Sequence, residues 1–149
     1  MDTELLLKLF RLVVDVVARE RGIHNYKVPR ARHLPVIVLG KHSPYPGTNG
    51  IFVRDPGPGK VFVYEENPNP ARTLLYELAH AAEIYLTGKV SGYNVPGAPT
   101  RKCVYEYDQL HGEQLAMRVA DVLADDINAA LMAHILVRQL RGEVMRKRK

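Results

Sequence analysis

Cysteine is nearly missing from this chain: Cys103 is its single representative. One thiol excludes an internal disulfide and cannot supply the thiolate cluster of a structural zinc site, so an intracellular, cytoplasmic setting is expected. Long unbroken apolar runs are missing too. The apolar opening segment begins Asp2-Thr3-Glu4, lacks a basic leader, and is interrupted by Lys8, Arg11, Asp15 and Arg19. It is expected to be neither a signal peptide nor a membrane span. There is no internal repeat and no low-complexity tract, which confines expected disorder to the ends. A phosphate loop is excluded as well: in "GPGK" the spacing fails, and Lys60 is followed by Val61 where Ser or Thr is required. No helix-turn-helix is evident.

What is present suits one folded unit. A length of 149 residues fits a single domain, 1–149, with room for one sizeable core but not two. The 46% hydrophobic and 25% charged residues place it among globular chains. The net charge of +5 is concentrated at residues 19–33 and 138–149, the last of these, 142–149, being expected as a basic tail. Such clusters permit nucleic acid or another polyanion as partner, and serve equally as a solvated surface.

The periodicity predicts a helix over residues 3–21, with Thr3 as N-cap and Gly22 as stop. Its charges at Lys8, Arg11, Asp15 and Arg19 recur every three or four residues and form one narrow polar stripe on an apolar cylinder. That face suits the core or another subunit, so a homo-oligomer through this helix is an open expectation. Strands are expected over 34–39, 50–55 and 60–65, all rich in Val, Ile, Phe and Tyr. The turn "DPGPG" joins the last two as an antiparallel hairpin. After Pro68 and Pro70, residues 71–87 have helical spacing and stop at Gly88. The segment "SGYNVPGAPTRK" reads as a loop long enough to carry function. Residues 108–141 form one long helix, or two broken near Asp125 to Asn128, with Leu115, Val119, Val122, Leu123, Ile127, Leu131, Ile135 and Leu136 at helical spacing.

The central helix contains "TLLYELAHAAE", residues 73–83. Tyr76 and His80 lie one turn apart on one face, with Glu77 beside them. In HExxH the two histidines of that arrangement grip a zinc ion and the glutamate takes a proton from metal-bound water. Here a phenol stands where the first imidazole would be. Downstream, Glu113, Ala116, Ala120, Leu123 and Ile127 follow at spacings of three and four, so one carboxylate heads a small, apolar stripe. The alanines allow close packing, and a carboxylate buried that way needs a partner such as a metal or a histidine.

Together these motifs, Tyr76-Glu77-Leu78-Ala79-His80 and Glu113 with Ala116, Val119, Ala120 and Leu123, resemble the small zinc peptidases of the ImmA/IrrE type, gluzincin-like members of the zincins, over roughly residues 34–127. The resemblance implies an α+β, zincin-like minimal domain: an N-terminal helix, a small antiparallel sheet of about three strands, an active-site helix and a C-terminal glutamate helix. It implies zinc as cofactor, held by His80 and Glu113 and, in place of the first histidine, by Tyr76. Glu77 would be the general base, and a peptide or protein would be the substrate, laid along a sheet edge by strand addition. A phenol has an ordinary pKa of about 10, so Tyr76 would have to lose its proton to bind the metal. The alternatives are a histidine recruited from elsewhere (His111 nearest, then His24, His33, His42 and His134) or a metal-free, catalytically inactive relative that binds protein or nucleic acid. Tyr93, Tyr105 and Tyr107 are candidates for stabilising an oxyanion and, equally, for core packing.

Overall fold

The computed structural model describes residues 1–42, 49–53, 57–88 and 102–148, with the side chains of 102–111 and 148 outside that description. These residues form an α+β fold of four helices, a short 3-10 turn and a three-stranded mixed sheet. Helix α1 spans Thr3–Glu20. Its polar stripe is where the spacing placed it: Lys8, Arg11, Asp15 and Arg19 are exposed, while Leu6, Leu9, Phe10, Val13, Val14, Val16 and Val17 are buried. The N-cap is Asp2, whose Oδ1 accepts from the Leu5 N–H at 3.1 Å, so Thr3 is the first helical residue and not the cap. The apolar face of α1 packs on α2, α3 and α4 of the same chain. That packing takes up the surface proposed for an oligomer, and the large exposed apolar residues on helices lie on α3 and α4 instead.

The strands are β1 (Val36–Gly40), β2 (Gly50–Val53) and β3 (Lys60–Tyr64), in the order β1-β3-β2. Strands β2 and β3 pair antiparallel, as the hairpin required. Strand β1 pairs with β3 in parallel, Val36 facing Lys60 and Gly40 facing Tyr64, which corrects the expectation of an antiparallel sheet. Side chains alternate faces in both kinds of ladder, so strand direction left no trace in the residue pattern. Val61 and Val63 of the central strand are fully buried against the helices.

Helix α2 spans Pro70–Thr87 and sits at the centre, touching α1, α3, α4, β2 and β3. Asn69 caps its start by accepting from the Arg72 N–H, Pro70 occupies the first turn, where a missing N–H costs nothing, and Gly88 ends it in a left-handed conformation at φ 74°. Helix α3 (Lys102–Ala124) and helix α4 (Ile127–Arg148) divide at Asp125 and Asp126, Asp126 accepting from the Asn128 and Ala129 N–H groups. Two expectations are corrected here. The buried stripe of α3 stops at Leu123, because the helix ends one residue later and Ile127, at 83% exposure, opens the next one. The closing residues expected as a basic tail continue α4 to Arg148. The long loop reading of residues 91–102 falls outside the described residues, apart from Lys102, which opens α3.

Candidate functional site

The site forms where β2 crosses the first half of α2. Gly50, at the start of β2, lies so close to that helix that a Cβ there would come within 2.5 Å of Thr73 Cγ2, 2.9 Å of the Phe62 carbonyl oxygen and 3.1 Å of Glu77 Cγ. Only a residue without a side chain lets the strand approach this closely. Asn67, buried and not singled out by the sequence, fixes the same junction. Its Nδ2 donates to the Asn49 carbonyl at 3.3 Å and to Thr73 Oγ1 at 2.5 Å, and its Oδ1 accepts from the Asn69 N–H at 2.8 Å. The signal available for it was its place in the Pro-rich entry to α2, and that alone does not separate a clamp from an ordinary turn asparagine.

Across α2, the small face of α3 packs in: Ala116, Val119 and Ala120 are essentially fully buried. This brings Glu113 over the helix, with Oε1 3.5 Å from His80 Nε2. The separation exceeds that of a good hydrogen bond. Two donors bound about 2.0–2.1 Å from a tetrahedral metal are themselves roughly 3.3 Å apart, so the spacing is that of neighbouring ligands. His80 stacks near Phe52 of β2, ring centroids 6.5 Å apart, and Tyr76 meets it edge-on at 5.3 Å.

The electrostatics of these groups is set by burial. Glu77 is 5% exposed, and desolvation pushes its carboxyl up to about 8. No hydrogen bond or ion pair from the described residues compensates it. His80 is pushed down to about 4, again by desolvation first, with the nearby Glu83 carboxylate opposing the shift. Burial also raises Glu113. An ion pair would move His80 and Glu113 the other way, holding the imidazole charged and the carboxylate low. These two groups are therefore brought together by helix packing and not by mutual attraction. At neutral pH the imidazole is neutral, which is the form that ligates a metal.

The donor set fits a divalent metal in part. His80 and Glu113 converge, while no group of three His, Cys, Asp or Glu side chains able to hold a metal occurs among the described residues. Tyr76 is half-buried on the same helix face, with its ring against His80. Of the other histidines, His24 and His134 are exposed, His42 faces Glu66, and His33 sits on the 3-10 turn beside Tyr85. The side chains of His111, Tyr105 and Tyr107, and all of Tyr93, lie outside the described residues. Compared with protein-family models, curated proteins and solved structures, the chain matches none. No helix among the described residues is long and apolar enough to cross a membrane.

Proposed function

We propose that this chain is a zincin-like protein related to the zinc metallopeptidases, with a peptide lying along the edge of β2 and a metal site built on His80 and Glu113. The observation that carries this reading is the 3.5 Å approach of His80 Nε2 to Glu113 Oε1, from two different helices, with Glu77 buried alongside. Zinc bound there would act as a Lewis acid, polarising a carbonyl and acidifying water. Tyr76 would be the third protein donor. Among the described residues strand β2 pairs only with β3, so its other edge ends the sheet and can take an extended peptide by backbone hydrogen bonds. Glu77 holds a proton at neutral pH while it has no positive partner, and becomes a base when a cation beside it favours the ionised form.

A second reading, a catalytically inactive relative that only binds its partner, is favoured by the absence of a three-residue His/Cys/Asp/Glu cluster among the described residues. One experiment separates the two. Zinc is titrated into chelator-stripped, tag-free protein and into the H80A, E113Q and Y76H variants. The metallopeptidase reading expects binding by the unaltered chain, its loss in the first two variants and a gain in Y76H. No uptake by the unaltered chain together with uptake by Y76H supports the inactive relative. No uptake by either shows that His80 and Glu113 form no metal site.

A further inference from the structure

A cavity of about 430 Å³ lies between α2 and the 3-10 turn Ala31–His33 that precedes β1, lined by Arg32, His33, Pro58, Ala81, Ile84 and Tyr85. Most of that lining is aromatic or aliphatic. The His33 and Tyr85 rings meet edge to face, with centroids 5.0 Å apart and planes at 61°. The Tyr85 hydroxyl donates to the Lys27 carbonyl, which holds its ring as a fixed wall. Pro58, Ala81 and Ile84 supply the apolar remainder. A planar, weakly polar ring the size of a nucleobase suits such a space.

The surface beside the cavity is basic. Lys8 and Arg11 lie one turn apart on the exposed stripe of α1, and Arg11 Nε donates to the Pro29 carbonyl at 3.0 Å, which ties that stripe to Arg30. Arg32 Nε donates to His33 Nε2 at 3.4 Å, so its guanidinium is held at the cavity wall. Burial first, and then the charges of Arg32 and Arg30, hold the His33 imidazole below its ordinary value, which puts both cations beside a ring that is neutral at neutral pH. Lys8, Arg11, Lys27, Arg30 and Arg32 are all exposed, and among the described residues none of them forms an ion pair. The acids on the same stripe of α1 are Glu4, one turn before Lys8, and Asp15, one turn after Arg11, which accepts from the Tyr26 hydroxyl. Positive charge exceeds negative on this side, and that favours a polyanion. The cavity narrows the choice. The charge of a lipid surface or of acidic side chains comes with no planar ring attached, whereas every nucleotide joins a phosphate to one. A duplex keeps its bases stacked inside, so the strand that fits is single.

We propose that single-stranded nucleic acid binds here, with one base against the His33 and Tyr85 rings and the flanking phosphates on Arg30, Arg32, Arg11 and Lys8. Neither His80 nor Glu113 takes part, so this role stands apart from the metal reading. The probe is a fluorescently labelled oligonucleotide of mixed sequence, single-stranded or annealed to its complement, titrated with the whole chain at stepped salt. Tighter binding of the single strand is expected. In R30Q and in R32Q the slope of log affinity against log salt should become shallower by about 0.7 for each lost phosphate contact. H33A should lower affinity about fivefold or more at an unchanged slope, since a stacked base releases no counterions. The double substitution R138Q/R141Q on α4, away from the cavity, should leave binding as it is. Whatever a variant does to folding, ultraviolet cross-linking of a bromouracil-containing strand to the unaltered protein should place the adduct on His33 or Tyr85, read by mass spectrometry. Equal binding of the duplex, an unchanged affinity in H33A, or an adduct elsewhere overturns the proposal. Loss of binding in R138Q/R141Q alone moves the interface to α4 and overturns it too. Retention on phosphatidylserine vesicles or on polyglutamate, without oligonucleotide binding, overturns it in favour of that polyanion, and binding to none of these probes leaves no polyanion site at all.

Discussion

Helix α2 buries two glutamates, Glu77 and Glu83, and treats them differently. Glu83, 1% exposed, receives Arg21 Nη1 at 2.6 Å from just beyond the end of α1. Glu77, 5% exposed, has no such partner among the described residues, and burial drives its carboxyl up to about 8. A buried carboxylate that is paired holds two elements together; one left unpaired costs stability and persists where chemistry or binding requires it. The same contrast holds around them. At the Glu83 end, Tyr85 ties α2 to the Lys27 carbonyl, whereas at the Glu77 end His80 and Glu113 approach without attracting each other.

The largest expected effect comes from breaking the paired end. Arg21→Ala removes the guanidinium that buried Glu83 accepts from and should lower unfolding free energy by about 3 kcal/mol, measured by urea titration. An unchanged midpoint would mean that the two glutamates do not differ in this way. The unpaired end is tested through its pH dependence. Glu77 has a folded value of about 8 against an ordinary 4.5, so the fold favours its proton and loses stability as pH rises from 4.5 towards 8. His80, at about 4 against 6.5, acts oppositely and adds stability as pH rises from 4 to 6.5. The two slopes oppose each other between 4.5 and 6.5. Above 6.5 Glu77 acts alone, and stability should fall by roughly 2 kcal/mol up to pH 8, at about 1.4 kcal/mol per pH unit. Glu77→Gln should flatten that interval in urea unfolding at stepped pH, and a slope that persists would assign it to another group.

Gly50→Ala sharpens the contrast from the strand side. The added methyl meets Thr73, the Phe62 carbonyl and Glu77, so β2 must retreat, and a loss of roughly 1 to 2 kcal/mol is expected by thermal denaturation. The smallest change is Tyr85→Phe at the paired end. It removes one hydrogen bond to the Lys27 carbonyl and should cost about 1 kcal/mol or less in the same assay.

Much of this architecture was legible before any coordinates. Spacing alone gave the exposed stripe of α1 and Gly88 gave the end of α2, while the last stretch was left as one helix or two broken near Asp125 to Asn128, and the structure has two. The alanines after Glu113 pointed to close packing on some helix, because small side chains at helical spacing let backbones approach, and the structure makes that helix α2. The direction of β1 was not legible, since parallel and antiparallel ladders use the same alternation. Neither was the reach of α4, because a run of Arg and Lys continues a helix as readily as it forms a tail. Asn67 and Arg21 were missed for different reasons: Asn67 reads as an ordinary asparagine of a Pro-rich turn, whereas the partner of Arg21, Glu83, is far from it in sequence.

Residue order by itself determined which face of α1 is apolar, where α1 and α2 stop, and that Tyr76, Glu77 and His80 share one helix surface. Those are consequences of a 3.6-residue period and of local capping chemistry. Only the tertiary structure decided that Glu83 meets Arg21 while Glu77 has no cation among the described residues, and that Glu113 reaches His80. Ionisation and convergence depend on which elements pack together and on how much water that packing removes, and neither is written in the spacing of the residues.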